Sequence, residues 1–257
     1  EAVDPRYSEI DRMSIGQLAA VMNEADATVP GAVALALDTI VVAIEAATAR
    51  MKSGGRLIYV GAGTPGRIAV VDASECPPTF STPPEQVFAI IAGGPRAVTS
   101  PCEGAEDDPV SGAQAIDQAG VTSLDTVIGI ASSGRTPYVV AAVGRARALG
   151  SLSIGLSCNA GTVLSATAEH GIEVLVGPEL LSGSTRLKAG TAQKLVLNMF
   201  STIVMVQLGK TYGNLMVDVR PTNVKLRERA VGIVAITAAL GRERARGPPH
   251  QTDTNRS

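Results

Sequence analysis

Apolar positions along the chain fall into two kinds of pattern. Over residues 30–51 they recur for about six helical turns, with alanine throughout, and Pro30 suits a first helical turn. Lys52-Ser53-Gly54-Gly55 ends that helix. Short continuous runs bounded by turn residues follow: RLIYVG (56–61), QVFAIIA (86–92), DTVIGIA (125–131), SLSIGLS (151–157) and IEVLV (172–176). Each reads as a buried strand, and the spans 109–119 and 137–149 between them read as helices. Strand and helix in alternation predict an α/β fold, with a mostly parallel sheet covered on both faces. Residues 185–210 predict a long helix that is amphipathic at first and then buried, and 222–240 a further one. The expected organisation is a polar N-terminal segment at 1–29, one α/β domain at 30–220, a partial helical segment at 221–240 and a disordered tail at 241–257.

Composition narrows the chemistry. The chain has 257 residues, 45% of them hydrophobic, enough to bury a sizeable core. Its net charge is −2, with +4 from residue 221 onward and −6 before it, so no global basic excess recruits nucleic acid. Aromatics make up 3% and tryptophan is absent, which argues against base-stacking platforms. The three cysteines, Cys76, Cys102 and Cys158, form no CxxC pair, so neither a zinc site nor a disulfide framework is expected and a reducing cytoplasm fits. Only His170 and His250 are available for histidine chemistry, and His170 reads as the end of a helix before Gly171. The uncharged run 195–209 is shorter than the ~20 residues of a membrane span, and the first residues show no signal-peptide pattern.

The most informative feature is that two predicted strands end in the same chemistry. GAGTPGR (61–67) and ASSGRTPYV (131–139) both lead through small residues to a Thr-Pro step, at Thr64-Pro65 and Thr136-Pro137. Thr caps a helix and Pro fits its first position, so each loop is expected to launch a helix at the carboxyl edge of the sheet, where open α/β sheets bind ligands. Free amides, the hydroxyls of Thr64, Ser132, Ser133 and Thr136, and the helix dipoles make that edge an anion site. Neither loop is a dinucleotide fingerprint or a P-loop. A third hydroxyl-rich stretch, GSTRLKAGTAQK (183–194), offers Ser184 and Thr185 as caps. It also places Arg186 and Lys188 where cations oppose the helix dipole unless they face an anion.

Carboxylates follow these loops closely. Asp72 and Glu75 share one helix face at i, i+3 spacing, and Pro77-Pro78 is expected to end that helix and leave Glu75 at an exposed terminus. CEGAEDD (102–108) holds four carboxylates, a crowding that tends to raise the pKa of at least one. Cys76 lacks a basic neighbour in sequence and reads as a small buried thiol.

Five blocks carry a family resemblance. GRLIYVGAGTPGRIAVVDASECPPTF, IAGG, EGAEDD, SSGRTPYV and GSTRLKAGTAQKLVLNMFSTIVMVQLGKTYGNLMVDVRPTN, in this order over roughly residues 50–225, resemble the N-acetylmuramic acid 6-phosphate etherases. These belong to the sugar-isomerase (SIS) superfamily, as does a glucokinase regulatory protein. The resemblance implies a five-stranded parallel α/β/α sandwich, and cleavage of the substrate's lactyl ether by water to N-acetylglucosamine 6-phosphate and D-lactate. It implies no cofactor and no metal, and a cytoplasmic homodimer with the helix near 186–210 at its interface. The small-molecule partner is an amino-sugar 6-phosphate, with no role for nucleic acid or membrane. The family carboxylates fall on Glu75, the acid for departing lactate, and on Glu106, a base for carbon 2 or for the incoming water; burial against Pro77-Pro78 and the acidic loop is expected to keep Glu75 protonated. The phosphate loop falls on Ser132, Ser133, Gly134 and Thr136, joined by Thr64 and Ser184. Two departures stand out: Pro65 replaces the usual Ser, and the family's helical C-terminal region is expected to be truncated here. A sugar-phosphate isomerase would share the loops and the proton abstraction, and a sugar-phosphate-sensing regulator would share the loops alone.

Overall fold

The computed structural model of the chain describes residues 2–218 together with 228, 231–233 and 235. Apart from those last five residues, the helix expected over 222–240 and the tail over 241–257 lie outside the described residues. Helices α1 (Ile15–Asp26), α2 (Val29–Leu35) and α3 (Leu37–Lys52) precede the first strand. Five strands follow: β1 (Leu57–Gly61), β2 (Val87–Ile91), β3 (Thr126–Ile130), β4 (Leu152–Ser157) and β5 (His170–Glu173). Between and after them run α4 (Gly63–Phe80), α5 (Pro109–Gln118), α6 (Pro137–Ala148), α7 (Val163–Thr167) and α8 (Lys188–Gln207). All strand pairs are parallel, in the order β2-β1-β3-β4-β5.

The period-two pattern of the strands divides the core. Leu57 and Tyr59 of β1, with Ile128, Ile130, Ile154 and Leu156, pack against α2, α3, α4 and α8. Ile58 and Val60, with Val127, pack against α5, α6 and α7 on the other face. The result is the expected three-layer α/β/α sandwich.

The polar N-terminal segment carries α1, started by a capping box between Ser14 and Gln17. Two local expectations are corrected. The single helix expected over 30–51 is two, broken at Ala36 with a bend of 61°. No breaker residue sits at the bend. Val33, Ala36 and Ile40 are all buried on its two sides, so packing against the sheet and α8 places it. His170 is the first residue of β5, paired with Ile154, and does not end a helix.

One ion pair pins the amino edge of the sheet. Asp125 is nearly inaccessible and accepts from the Arg56 backbone amide, from Arg56 Nε and Nη2, and from the Thr122 amide and hydroxyl. Arg56 also donates to the carbonyls of Ala119 and Gly120. Burial pushes the Asp125 carboxyl up, but the hydrogen bonds from Arg56 and the Thr122 amide outweigh it and hold the pKa below the ordinary value. A depressed folded pKa contributes stability that is complete above the unfolded value of about 3.9 and is lost as pH falls through the folded one. Asp125→Ala is therefore expected to cost about 2–4 kcal/mol near neutral pH and to shrink the acid-dependent loss below about pH 4. Urea titrations at pH 7 and pH 3 check both; equal destabilisation at the two pH values would contradict the assignment.

Candidate active site

The two Thr-Pro loops meet because β1 and β3 are neighbours in register, Gly61 opposite Ile130. Their carboxyl ends open onto a cavity of about 490 Å³ whose wall includes Thr64, Glu106, Ser132, Ser133, Arg135 and Thr136. Thr136 is the N-cap residue of α6 and makes no side-chain cap bond, so its hydroxyl is available to a ligand. Ser133 is exposed, and its Oγ accepts from the Arg135 amide at 3.2 Å. Gly134 holds a φ of +64°, and a Cβ there would lie 2.4 Å from Thr162 Cβ, so no other residue fits that turn.

At the first loop the boundaries differ from expectation. Helix α4 is capped at Ala62, which makes Thr64 its second residue and Pro65 its third. Proline there removes an amide that no intrahelical bond would use, so the helix loses nothing and the cavity loses a donor. The helix starts against the strand because Gly61 and Gly66 touch: a Cβ on Gly61 would lie 2.7 Å from the Gly66 amide nitrogen.

The third hydroxyl stretch behaves otherwise. Gly183 and Thr185 line the cavity, and Ser184 is not among its wall residues. Neither Ser184 nor Thr185 caps α8, whose N-cap residue is Leu187. The cap comes from Glu179, whose oxygens accept from the Lys188 and Ala189 amides at 3.0 and 2.9 Å. The anion facing that helix end is thus the chain's own carboxylate. Lys188 turns inward, is buried, and donates to the Val176 carbonyl at 2.7 Å.

The acidic run is divided among roles. Asp108 caps α5, and hydrogen bonds from the Ser111 hydroxyl and amide, with the Val110 amide, hold its carboxyl below the usual value. The shift at Asp108 is downward because hydrogen-bond donors surround its carboxyl. Glu106 and Asp107, in the short 3-10 helix Ala105–Asp107, reach the cavity.

Glu75 does not. Helix α4 continues through Pro77 and Pro78 to Phe80 and ends at Ser81, so the proline pair neither stops the helix nor buries Glu75, which is exposed. Glu75 lies 12 residues beyond Gly63, about 18 Å along the helix from its cavity end. Asp72, one turn earlier, points into the core and accepts from Tyr59 Oη at 2.8 Å and Ser201 Oγ at 3.1 Å. Burial holds its carboxyl above the ordinary range despite those two donors. This buried trio ties α4 to β1 and α8 and so fixes the face on which Glu75 stands. Burial, and then the Asp72 and Glu75 charges, push the Cys76 thiol up to about 12, which removes it as a nucleophile at neutral pH.

Arg135, Asp107 and Thr185 escaped the sequence reading of the site, although each adjoins a residue it picked out. Among the described residues no cluster of His, Cys, Asp or Glu could hold a metal ion, and no single helix is long and apolar enough to cross a membrane.

This sheet with its paired loops is that of a SIS domain. Residues 110–203 match the SIS domain family, and 39–146 match the glucokinase regulatory protein N-terminal SIS domain. A phosphoheptose isomerase from Francisella tularensis shares the fold, with a TM-score of 0.54 and 20% identity over 77% of this chain and 99% of that one. So does the Vibrio vulnificus NanR protein complexed with ManNAc-6P, with a TM-score of 0.52 and 13% identity over 87% and 70% of the two chains. The N-acetylmuramic acid 6-phosphate etherase of Streptomyces coelicolor is 60% identical over 236 residues, which are 92% of this chain and 76% of that protein. The chain belongs to the N-acetylmuramic acid 6-phosphate etherase family.

Three substitutions probe the cavity. Ser133→Ala and Thr136→Val are each expected to weaken binding of N-acetylglucosamine 6-phosphate by about 1–3 kcal/mol while leaving the melting temperature nearly unchanged. Calorimetric titration reads this, and wild-type affinity in both variants would remove the loop from the site. Pro65→Ser restores a hydroxyl and an amide at the cavity wall. Tighter binding of the same ligand, with a slightly lower melting temperature, is the expected result.

Proposed function

We propose that this enzyme cleaves the D-lactyl ether of N-acetylmuramic acid 6-phosphate, with water, to N-acetylglucosamine 6-phosphate and D-lactate. The observation that carries the reading is one cavity that joins a carboxylate, Glu106, to the hydroxyl loops of β1 and β3. A pure phosphate sensor has no need of that carboxylate. In the reaction, the Ser133 and Thr136 loop and the α6 N-terminus hold the phosphate. Glu106, as base, takes the proton from carbon 2 of the open-chain aldehyde. The electron pair forms the carbon 2–carbon 3 double bond, and the ether oxygen leaves carbon 3 as lactate, protonated by Glu75. Water then adds, hydroxyl to carbon 3 and proton to carbon 2, for a net uptake of one water. Each proton transfer is worth about 10²–10⁴-fold in rate.

Glu75 stands outside the cavity that holds Glu106, about 18 Å along α4 from its cavity end, so one chain does not bring the two carboxylates to one pocket. A homodimer in which each copy lends Glu75 to its partner's cavity resolves this. It would also supply, from outside the chain, the burial that keeps an acid protonated. Two features support that arrangement. Val71, one turn before Glu75 on the same helix face, is a large exposed apolar residue. On α8, which packs against α4, Ile203 and Val206 are also exposed, in keeping with an interface near 186–210. The free thiols of Cys76, Cys102 and Cys158 suit a reducing cytoplasm.

Mixing variants tests both halves of this reading. Glu75→Gln and Glu106→Gln homodimers are each expected to release almost no D-lactate. Unfolded and refolded together in equal amounts, they form mixed dimers with one intact site, and about a quarter of wild-type activity returns. No recovery on mixing would show that each site draws both carboxylates from one chain. Wild-type lactate release by Glu75→Gln would exclude it as the acid.

A further inference from the structure

Helix α8 carries a polar side chain that core packing does not explain. Gln193 is completely buried, yet its Oε1 has no hydrogen-bond partner among the described residues. Its Nε2 lies 2.9 Å from Ser132 Oγ and 4.0 Å from Cys158 Sγ. An apolar residue of similar volume would fill the space without leaving a carbonyl unpaired.

We propose that Gln193 is a positioning residue, which aims the Ser132 hydroxyl hydrogen into the phosphate cavity. The inference rests on the reading of that cavity given above. A serine hydroxyl has one hydrogen and two lone pairs. The Gln193 amide can only donate from Nε2, so it occupies a lone pair of Ser132 Oγ and turns the hydroxyl hydrogen elsewhere. The Ser132 backbone cannot follow another course, because its carbonyl accepts from the Cys158 amide and from Asn159 Nδ2 at 2.8 Å. Ser132 Oγ has no acceptor for its hydrogen among the described residues, and the residue forms part of the cavity wall beside Ser133 and Thr136. A phosphate oxygen there is the acceptor that completes the chain from amide to hydroxyl to anion, and the amide bond polarises the hydroxyl toward it.

A double-mutant cycle on the full chain tests this. KM and kcat for N-acetylmuramic acid 6-phosphate, and the Kd of N-acetylglucosamine 6-phosphate, are measured for wild type, Ser132→Ala, Gln193→Glu, Gln193→Met and each pair with Ser132→Ala. In Gln193→Glu the carboxylate accepts the Ser132 hydroxyl hydrogen and turns it from the cavity. Binding is expected to weaken about ten- to hundredfold, with the loss in KM and not in kcat. Gln193→Met frees the hydroxyl to rotate, and a smaller loss of the same kind is expected. Neither change is expected to weaken binding further once Ser132 is alanine. A packing defect, or direct repulsion of the phosphate by the introduced carboxylate, would persist without Ser132, so effects that multiply would overturn the proposal. So would wild-type binding in both Gln193 variants. Unchanged binding in Ser132→Ala alone would instead overturn the cavity reading beneath it. If Gln193→Glu lacks a cooperative melting transition, the Gln193→Met cycle decides by the same criterion.

Discussion

The parallel register of β1 against β3 is the constraint on which the rest of the molecule depends. Leu57 pairs with Thr126 and Gly61 with Ile130, so two loops 70 residues apart in sequence leave the sheet side by side. At the opposite edge, Arg56 and Asp125, each just before its strand, hold the same two strands together with charge-assisted bonds. A slip of one residue would invert every side chain of β1 between the two cores. It would also part the loop that carries Thr64 from the loop that carries Ser133. The ligand edge is therefore held in place from its far end.

The helix N-termini divide the anions between them. Helices α4 to α8 each follow a strand of the parallel sheet and point their positive ends toward its carboxyl edge or close to it, and Asp108 and Thr162 cap α5 and α7. Helix α8 already has its anion in the buried Glu179, which satisfies two of its free amides. Helices α4 and α6 have no such internal partner, and their first turns carry the hydroxyls that face the cavity. The dipole of α8 thus serves stability, while those of α4 and α6 remain to serve a ligand. The same helix α8 supports the site from within, through Gln193 on Ser132 and through Ser201 on Asp72.

The resemblance, the strands and the loop chemistry were legible in the primary sequence because each depends on neighbours within a few residues. RLIYVG and DTVIGIA are buried strands wherever they occur in such a sheet, and SSGRTP carries its own turn, hydroxyls and helix start. Family blocks named Glu75 and Glu106 without locating them. One local rule misled. The Pro77-Pro78 step suggested a helix end, but α4 runs past it, because packing of Ala73, Cys76 and Phe80 against the core offsets the lost bonds.

What the sequence determined by itself was the set of parts: five strands, the glycine and hydroxyl loops, the acidic run and the family. Tertiary structure alone decided which parts meet. It put Glu106 in the cavity and left Glu75 about 18 Å along α4. It bent the N-terminal helix at Ala36, replaced Ser184 by Glu179 as the partner of α8, and brought Gln193 within 2.9 Å of Ser132 across 61 residues. Periodicity and turn chemistry act over one or two turns of chain. The partner of a buried polar atom is whatever the packed layers carry to it, and that is settled only when the sheet and its helices close on one another.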